Sequence, residues 1–253
     1  MTKMMFDRLI KEAHLWLVRP ESVTDESTLA ACMDVLSDQE KQRYGRFRFA
    51  RDRHRYLVSH AMVRNVLSRY AELAPEAWVF SQTDHGRPEV VNTGLTDIRF
   101  NLSHTDGLAA CVVTSTCDCG VDVERVHMRH NPLGVAKRMF SNAEYEHMQR
   151  LQGREQLEFF FTRWTLREAY TKARGIGITF PTHQLDFDVR SATEIDISFQ
   201  EGIEDKEEDW QLALFTLTDE HIAAVAIRRP QQSDKTIIRY DLKDDLRPYE
   251  IPI

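Results

Sequence analysis

No apolar run in this 253-residue chain approaches the ~18 residues that a membrane span needs. The opening MTKMMFDRLIKEAHLWLVRP also lacks the apolar core and cleavage site of a signal peptide. A cytoplasmic protein with no membrane partner is therefore expected. Cysteine is scarce, with only Cys32, Cys111, Cys117 and Cys119. The C-x-C pair in TCDCG has no second C-x-x-C and no histidine partner at zinc-like spacing, so it is read as turn cysteines in a reduced compartment. Excess positive charge is missing too: the net charge of −7 argues against general nucleic-acid binding. No Ser-His-Asp or Cys-His arrangement offers an enzyme nucleophile.

What charge there is lies unevenly. Residues Glu40 to Arg55, EKQRYGRFRFARDRHR, are densely basic and interleaved with aromatics, whereas Glu201 to Asp209, EGIEDKEED, read as a solvated acidic loop. HLWLVRP reads as a strand ended by Pro20. The stretch from Asp38 towards Pro75 reads as helical in two pieces around Gly45, with Tyr56, Val63, Val66, Leu67 and Tyr70 on one buried face. IRFNLSHTDGLAACVVTS is strand, turn, strand, and GVDVERV is a further strand. A helical region follows from Pro132 to Arg174, broken near Gly153 and stopped in ARGIGI by Gly175 and Gly177. LDFDVR, IDISF, WQLALFTL and HIAAVAI read as strands, and the tail after Pro230 as extended or loosely held. TDGLAACVV and TDEHIAAVAI echo each other, as two similar α+β halves would, divided here into residues 1–117 and 118–253.

The chemistry starts in GVDVERV. Strand alternation puts Asp122 and Glu124 on one face, where like charges repel unless a cation lies between them. On the helix FFFTRWTLREAYTKARG, Trp164, Glu168 and Lys172 fall at i, i+4 and i+8 along one stripe. A plain Glu168–Lys172 surface pair would explain the last two. The alternative has Glu168 joining Asp122 and Glu124 in an oxygen-only cradle for Mg²⁺ or Mn²⁺, with Lys172 in reach of a phosphate. Ser103 and His104, at a strand end in NLSHTDG, can donate to an anion. Lys41, Arg43, Arg46, Arg48, Arg51, Arg53 and Arg55 add positive charge, and Arg87 lies in the turn DHGRP.

Taken in order, the basic helix, the G-R-P turn, FNLSHTDG, GVDVE, FSNAEY and RWTLREAYTKARGIGI resemble the surfactin-type 4'-phosphopantetheinyl transferases, from about Ser37 to Gly177. The resemblance implies an α+β fold of two similar halves related by a pseudo-twofold axis, the 4'-phosphopantetheinyl transferase fold, in a monomer. It implies transfer of the phosphopantetheine arm of coenzyme A to a serine of an acyl or peptidyl carrier protein. Adenosine 3',5'-bisphosphate is released, and Mg²⁺ (or Mn²⁺) sits on the pyrophosphate of coenzyme A, which lies between the halves.

By the same resemblance, Asp122, Glu124 and Glu168 match the metal-binding acids, and Lys172 the lysine on the pyrophosphate. Ser103 and His104 match a pair on the phosphates of coenzyme A, and Arg43 and Arg55 match its nucleotide pocket. Arg87 stands in the usual G-K-P turn. Glu144 in SNAEY matches the proposed general base, working directly or through a water, with a metal-activated water as the alternative. Glu40 stands where a first lysine is common, so Lys41 takes that role or the 3'-phosphate is held differently. Arg167 replaces another common lysine.

The candidate carrier-docking surface is Pro132 to Arg150, with Lys137, Arg138, Met139, Phe140 and Met148; the other reading packs its apolar side inward. Two further functions compete. Another Mg²⁺-dependent phosphate-ester enzyme shares the acids but leaves the basic pocket unexplained. A non-catalytic module binding coenzyme A or a carrier protein has no need of all three acids and Lys172.

Overall fold

The chain's longest helices each lie on a sheet, and the two pairs belong to different parts of the chain. The structure is a computed structural model and describes residues 2–127, 131–177, 180–229, 233–246 and 248–250. The described chain divides into two units. One holds the residues up to Thr83, Pro88–Thr116 and those from Lys235 on; the other holds Asp84–Arg87 and Cys117–Asp234.

The first unit starts with a short helix, α1 (Thr2–Arg8), and a strand, β1 (Glu12–Val18). Asp25 then caps α2 (Glu26–Asp34) by accepting from the Thr28 amide. Ser37 and Glu40 form a reciprocal capping box at the start of α3 (Asp38–Arg46), and α4 (Ala50–Leu67) follows after a three-residue break just beyond Gly45. Tyr56, Val63, Val66 and Leu67 are buried as their spacing predicts, and Leu57, Val58, Ala61 and Met62 join them, because α4 is covered on more than one side. A hairpin, β2 (Phe80–Gln82) and β3 (Pro88–Val90), leads to β4 (Ile98–Thr105) and β5 (Leu108–Ser115).

The second unit opens with β6 (Cys119–Arg125). The helical region divides twice, into α5 (Pro132–Met139), α6 (Asn142–Arg150) and α7 (Gly153–Arg174). The additional break precedes Ser141, whose capping box with Glu144 starts α6 anew. Gly175, at φ 68°, closes α7 in the left-handed conformation that glycine adopts without penalty. Gly177, the other stop expected in ARGIGI, also takes a left-handed conformation, at φ 66°. Four strands follow: β7 (Leu185–Val189), β8 (Ile195–Phe199), β9 (Trp210–Thr218) and β10 (His221–Arg228).

The sequence echo corresponds to two hairpins. In the first unit β5 lies between β4 and β1, antiparallel to both; in the second, β10 lies between β9 and β6, antiparallel to both.

Three expectations change. The division into 1–117 and 118–253 does not hold, because β11 (Thr236–Leu242) returns to pair in parallel with β1 and carries β12 (Pro248–Glu250) on its far side. The tail is thus built into a sheet rather than loosely held, although its expected start at Pro230 lies outside the described residues. The acidic loop is not wholly solvated either. Asp205 accepts from Tyr170 Oη at 2.8 Å and Trp210 Nε1 at 3.0 Å, and it pairs with Arg174 at 3.1 Å.

Candidate active site

Gly120 decides how closely α7 approaches β6. A Cβ there would stand 2.1 Å from the Ala169 carbonyl oxygen and 2.5 Å from the Ala173 amide nitrogen, both backbone atoms of α7. Only a residue without a side chain permits that contact. Because side chains alternate along a strand, the face Gly120 turns to α7 is also the face of Asp122 and Glu124. The helix stripe meets them there. Trp164 Nε1 donates to Glu124 Oε1 at 3.0 Å, and Lys172 Nζ donates to Asp122 Oδ1 at 2.6 Å and to the Val121 carbonyl at 3.3 Å.

Glu168 lies midway on the stripe. Burial pushes its carboxyl up from the usual range, the Asp122 charge adds to the rise, and Lys172 opposes it. Lys172 has thus found Asp122 on the strand, which a simple i, i+4 surface pair with Glu168 does not describe. The β6 face that carries Asp122 and Glu124 thus meets the α7 stripe that carries Trp164, Glu168 and Lys172.

Arg87 reaches the same end of α7. Its Nη1 donates to the Ala173 carbonyl at 2.6 Å and lies 3.3 Å from Asp118, and it passes so near Gly175 that a Cβ there would meet the guanidinium carbon at 3.0 Å.

In the first unit, Ser103 and His104 occupy the end of β4, with Ser103 buried and His104 exposed. Arg55, one turn into α4, pairs with Asp106 in the turn after them and bonds Asp52 at 2.9 Å. The start of the basic helix is therefore fastened to the turn that carries the Ser-His pair. Arg43 is exposed on α3 with its guanidinium 5.9 Å from the Tyr56 ring centre, and His60 stacks on that ring at 3.9 Å. These residues line a cavity of about 450 Å³, along with Glu40, Arg64, Trp78 and Phe80. Lys41 is half-buried on α3.

Glu40 has a structural role. Its carboxylate accepts from Ser37 N at 2.8 Å, His60 Nδ1 at 3.2 Å and the fully buried Arg64, at 2.9 Å from Nε and 2.7 Å from Nη2. Arg64 in turn donates to the carbonyls of Pro75 and Trp78. Burial works to raise the Glu40 pKa, but His60, the Ser37 backbone and Arg64 outweigh it and pull it down to about 2.

The expectation for Glu144 needs correction. Its side chain is 4 % exposed, caps α6, forms an ion pair with buried Arg167 and lies 3.4 Å from Arg163 Nε. Arg167 also donates to the carbonyls of Met139, Thr182 and Leu185. A carboxylate enclosed in this way ties α6, α7 and the start of β7 together and is not presented to a substrate hydroxyl. The Pro132–Arg150 surface changes as well: Phe140 and Met148 pack inward, and only Lys137 and Arg138 of the named group are exposed.

The donor set of Asp122, Glu124 and Glu168 is all oxygen and suits a hard cation. As the side chains stand, no three His, Cys, Asp or Glu among the described residues are close enough together to hold an ion. The positive charge at Asp122 is the Lys172 ammonium. Sequence reasoning named the acids, but it did not identify the spacing role of Gly120 or the Trp164–Glu124 hydrogen bond. The signal for both was the placement of Gly120 and Trp164 in register with the acids.

One α+β unit carries an acidic strand–helix site, and the other carries an arginine-rich helix. A family model described as the 4'-phosphopantetheinyl transferase superfamily matches residues 118–226, and one described as 4'-phosphopantetheinyl transferase, N-terminal, matches 23–116. The 4'-phosphopantetheinyl transferase HetI of Nostoc sp. is 34% identical over 174 residues, covering 67% of this chain and 71% of that protein. The 4'-phosphopantetheinyl transferase Sfp of Bacillus subtilis is 27% identical over 210 residues, covering 83% and 90%. The L-aminoadipate-semialdehyde dehydrogenase-phosphopantetheinyl transferase of Rattus norvegicus is 27% identical over 230 residues, covering 84% and 73%. The chain belongs to the 4'-phosphopantetheinyl transferase superfamily, a family of enzymes.

Proposed function

We propose that the chain transfers the 4'-phosphopantetheine arm of coenzyme A to a serine of an acyl or peptidyl carrier protein and releases adenosine 3',5'-bisphosphate. The observation that supports this most is the packing of the β6 face that carries Asp122 and Glu124 against the α7 stripe that carries Glu168 and Lys172. Mg²⁺, or Mn²⁺ in its place, would be held by Asp122, Glu124 and Glu168 and would supply neutralisation of charge on the pyrophosphate oxygens.

The protein's own groups do the rest. Lys172 offers its ammonium to a phosphoryl oxygen, and Arg87 adds charge at the same end of α7. Ser103 and His104 donate to phosphate oxygens, and Arg43, Arg55 and Lys41 hold the nucleotide end. With Glu144 enclosed, Glu168 is the carboxylate assigned to take the proton from the carrier serine, directly or through a water. The serine oxygen attacks the β-phosphorus in line, and no enzyme nucleophile takes part.

No helix among the described residues is long and apolar enough to cross a membrane. The four cysteines are buried and unlinked, which suits action in the reducing cytoplasm. One chain carrying both the acid site and the basic helix supports a monomer.

Glu168→Ala tests the assignment. Transfer should be lost, with a drop of at least ~10²-fold in rate, while circular dichroism and the thermal midpoint remain those of a folded protein. Unchanged turnover in that variant rejects the role given to Glu168.

A further inference from the structure

Arg87 and Lys172 both stand near the C-terminal end of α7, and they are held differently. Arg87 is fixed between the Ala173 carbonyl and Asp118, and its side chain is 14% exposed. Lys172 bonds Asp122 Oδ1 at 2.6 Å, but its side chain is 27% exposed, against 7% for Asp122. The buried partner is the carboxylate, and the ammonium approaches it from the solvent side on a flexible four-carbon stem. Asp122 is also one of the three carboxylates that would hold a divalent cation. An ammonium held 2.6 Å from this largely buried carboxylate opposes a divalent ion there, since the two cations repel each other.

We infer that Lys172 is the resident counter-ion of the acidic cradle: a divalent ion must evict it from Asp122, and the freed ammonium then turns to the substrate phosphate. This rests on the metal assignment above. Two consequences follow from the exchange. Without coenzyme A the ion binds weakly, because Lys172 competes and, once displaced, gives up its bond to a buried carboxylate. With coenzyme A the displaced ammonium gains a pyrophosphate partner, so ion and substrate strengthen each other's binding. Trp164, through its bond to Glu124 Oε1, lies against the second acid of the cradle and supplies a local fluorescence signal.

Mn²⁺ binding without coenzyme A, followed by titration calorimetry and tryptophan emission, tests the exchange in wild type, Lys172→Met and Lys172→Arg. Lys172→Met should bind Mn²⁺ about five- to tenfold tighter than wild type, because the competing cation is gone. Lys172→Arg keeps the charge and should stay near wild type, which a merely structural role for the side chain would not predict. In unmodified protein, reductive methylation read by peptide mass spectrometry should label Lys172 faster when Mn²⁺ is added.

Equal or weaker Mn²⁺ binding by a folded Lys172→Met overturns the exchange, and so does unchanged labelling of Lys172 at saturating Mn²⁺. Transfer to a carrier protein is scored separately. Transfer by wild type without the exchange sinks this inference alone, whereas exchange without transfer sinks the proposed function alone.

Discussion

Gly120 shows how much of the site depends on one missing side chain. Adding a Cβ forces α7 away from β6, since the obstructing atoms are helix backbone and cannot rotate aside. Gly120→Ala should therefore cost about 1–3 kcal/mol of stability, as overpacking does, and reduce transfer by more than that loss explains. Urea denaturation read beside the transfer rate checks both parts; a variant with native stability and full activity contradicts the close-packing account. The acids themselves were legible, because the period of a strand and the period of a helix each put them on a defined face. Their meeting was not, since nothing in the spacing says that β6 and α7 pack together. Glu144 misled for the opposite reason: SNAEY reads equally as a functional motif and as a capping box, and only the buried Arg167 tells them apart.

At the level of elements, the start of α3 is the strongest case. Glu40 closes the capping box and neutralises Arg64, which is 1% exposed and anchors the loop at Pro75 and Trp78. Glu40→Gln should cost about 3 kcal/mol, because removing one partner leaves a buried charge uncompensated. The folded pKa of about 2 lies below the ordinary 4.5. A depressed carboxyl contributes stability that is present above its unfolded value and lost as pH falls through the folded one. Wild type should therefore lose stability between pH 4.5 and about 2, and the variant should show a flatter decline. Equal slopes in an acid titration of unfolding free energy would remove Glu40 from the account. Most elements were readable from capping residues and apolar periods. The break before Ser141 was missed because α5 and α6 share one amphipathic pattern across it.

For the whole molecule, the long-range return of β11 to β1 is the feature that local sequence signals could not reveal. Glu12 pairs with Thr236 and Leu17 with Asp241, over two hundred residues apart along the chain. Periodicity reports which face is buried, not which strand lies alongside. Truncation after Asp234 should uncover an edge of β1 and lower the thermal midpoint of the first unit, with scanning calorimetry as the readout. An unchanged midpoint would mean that the strand adds nothing. Both family models match along the one chain, and carriers of siderophore, polyketide, nonribosomal peptide and lipid pathways are the substrates to assay. The most direct measurement is intact mass of apo carrier proteins from each pathway after incubation with the protein, coenzyme A and Mg²⁺. The account predicts that at least one carrier gains the mass of one phosphopantetheine, with adenosine 3',5'-bisphosphate released in equal amount. No gain on any carrier across such a panel, from protein shown to be folded, would contradict it.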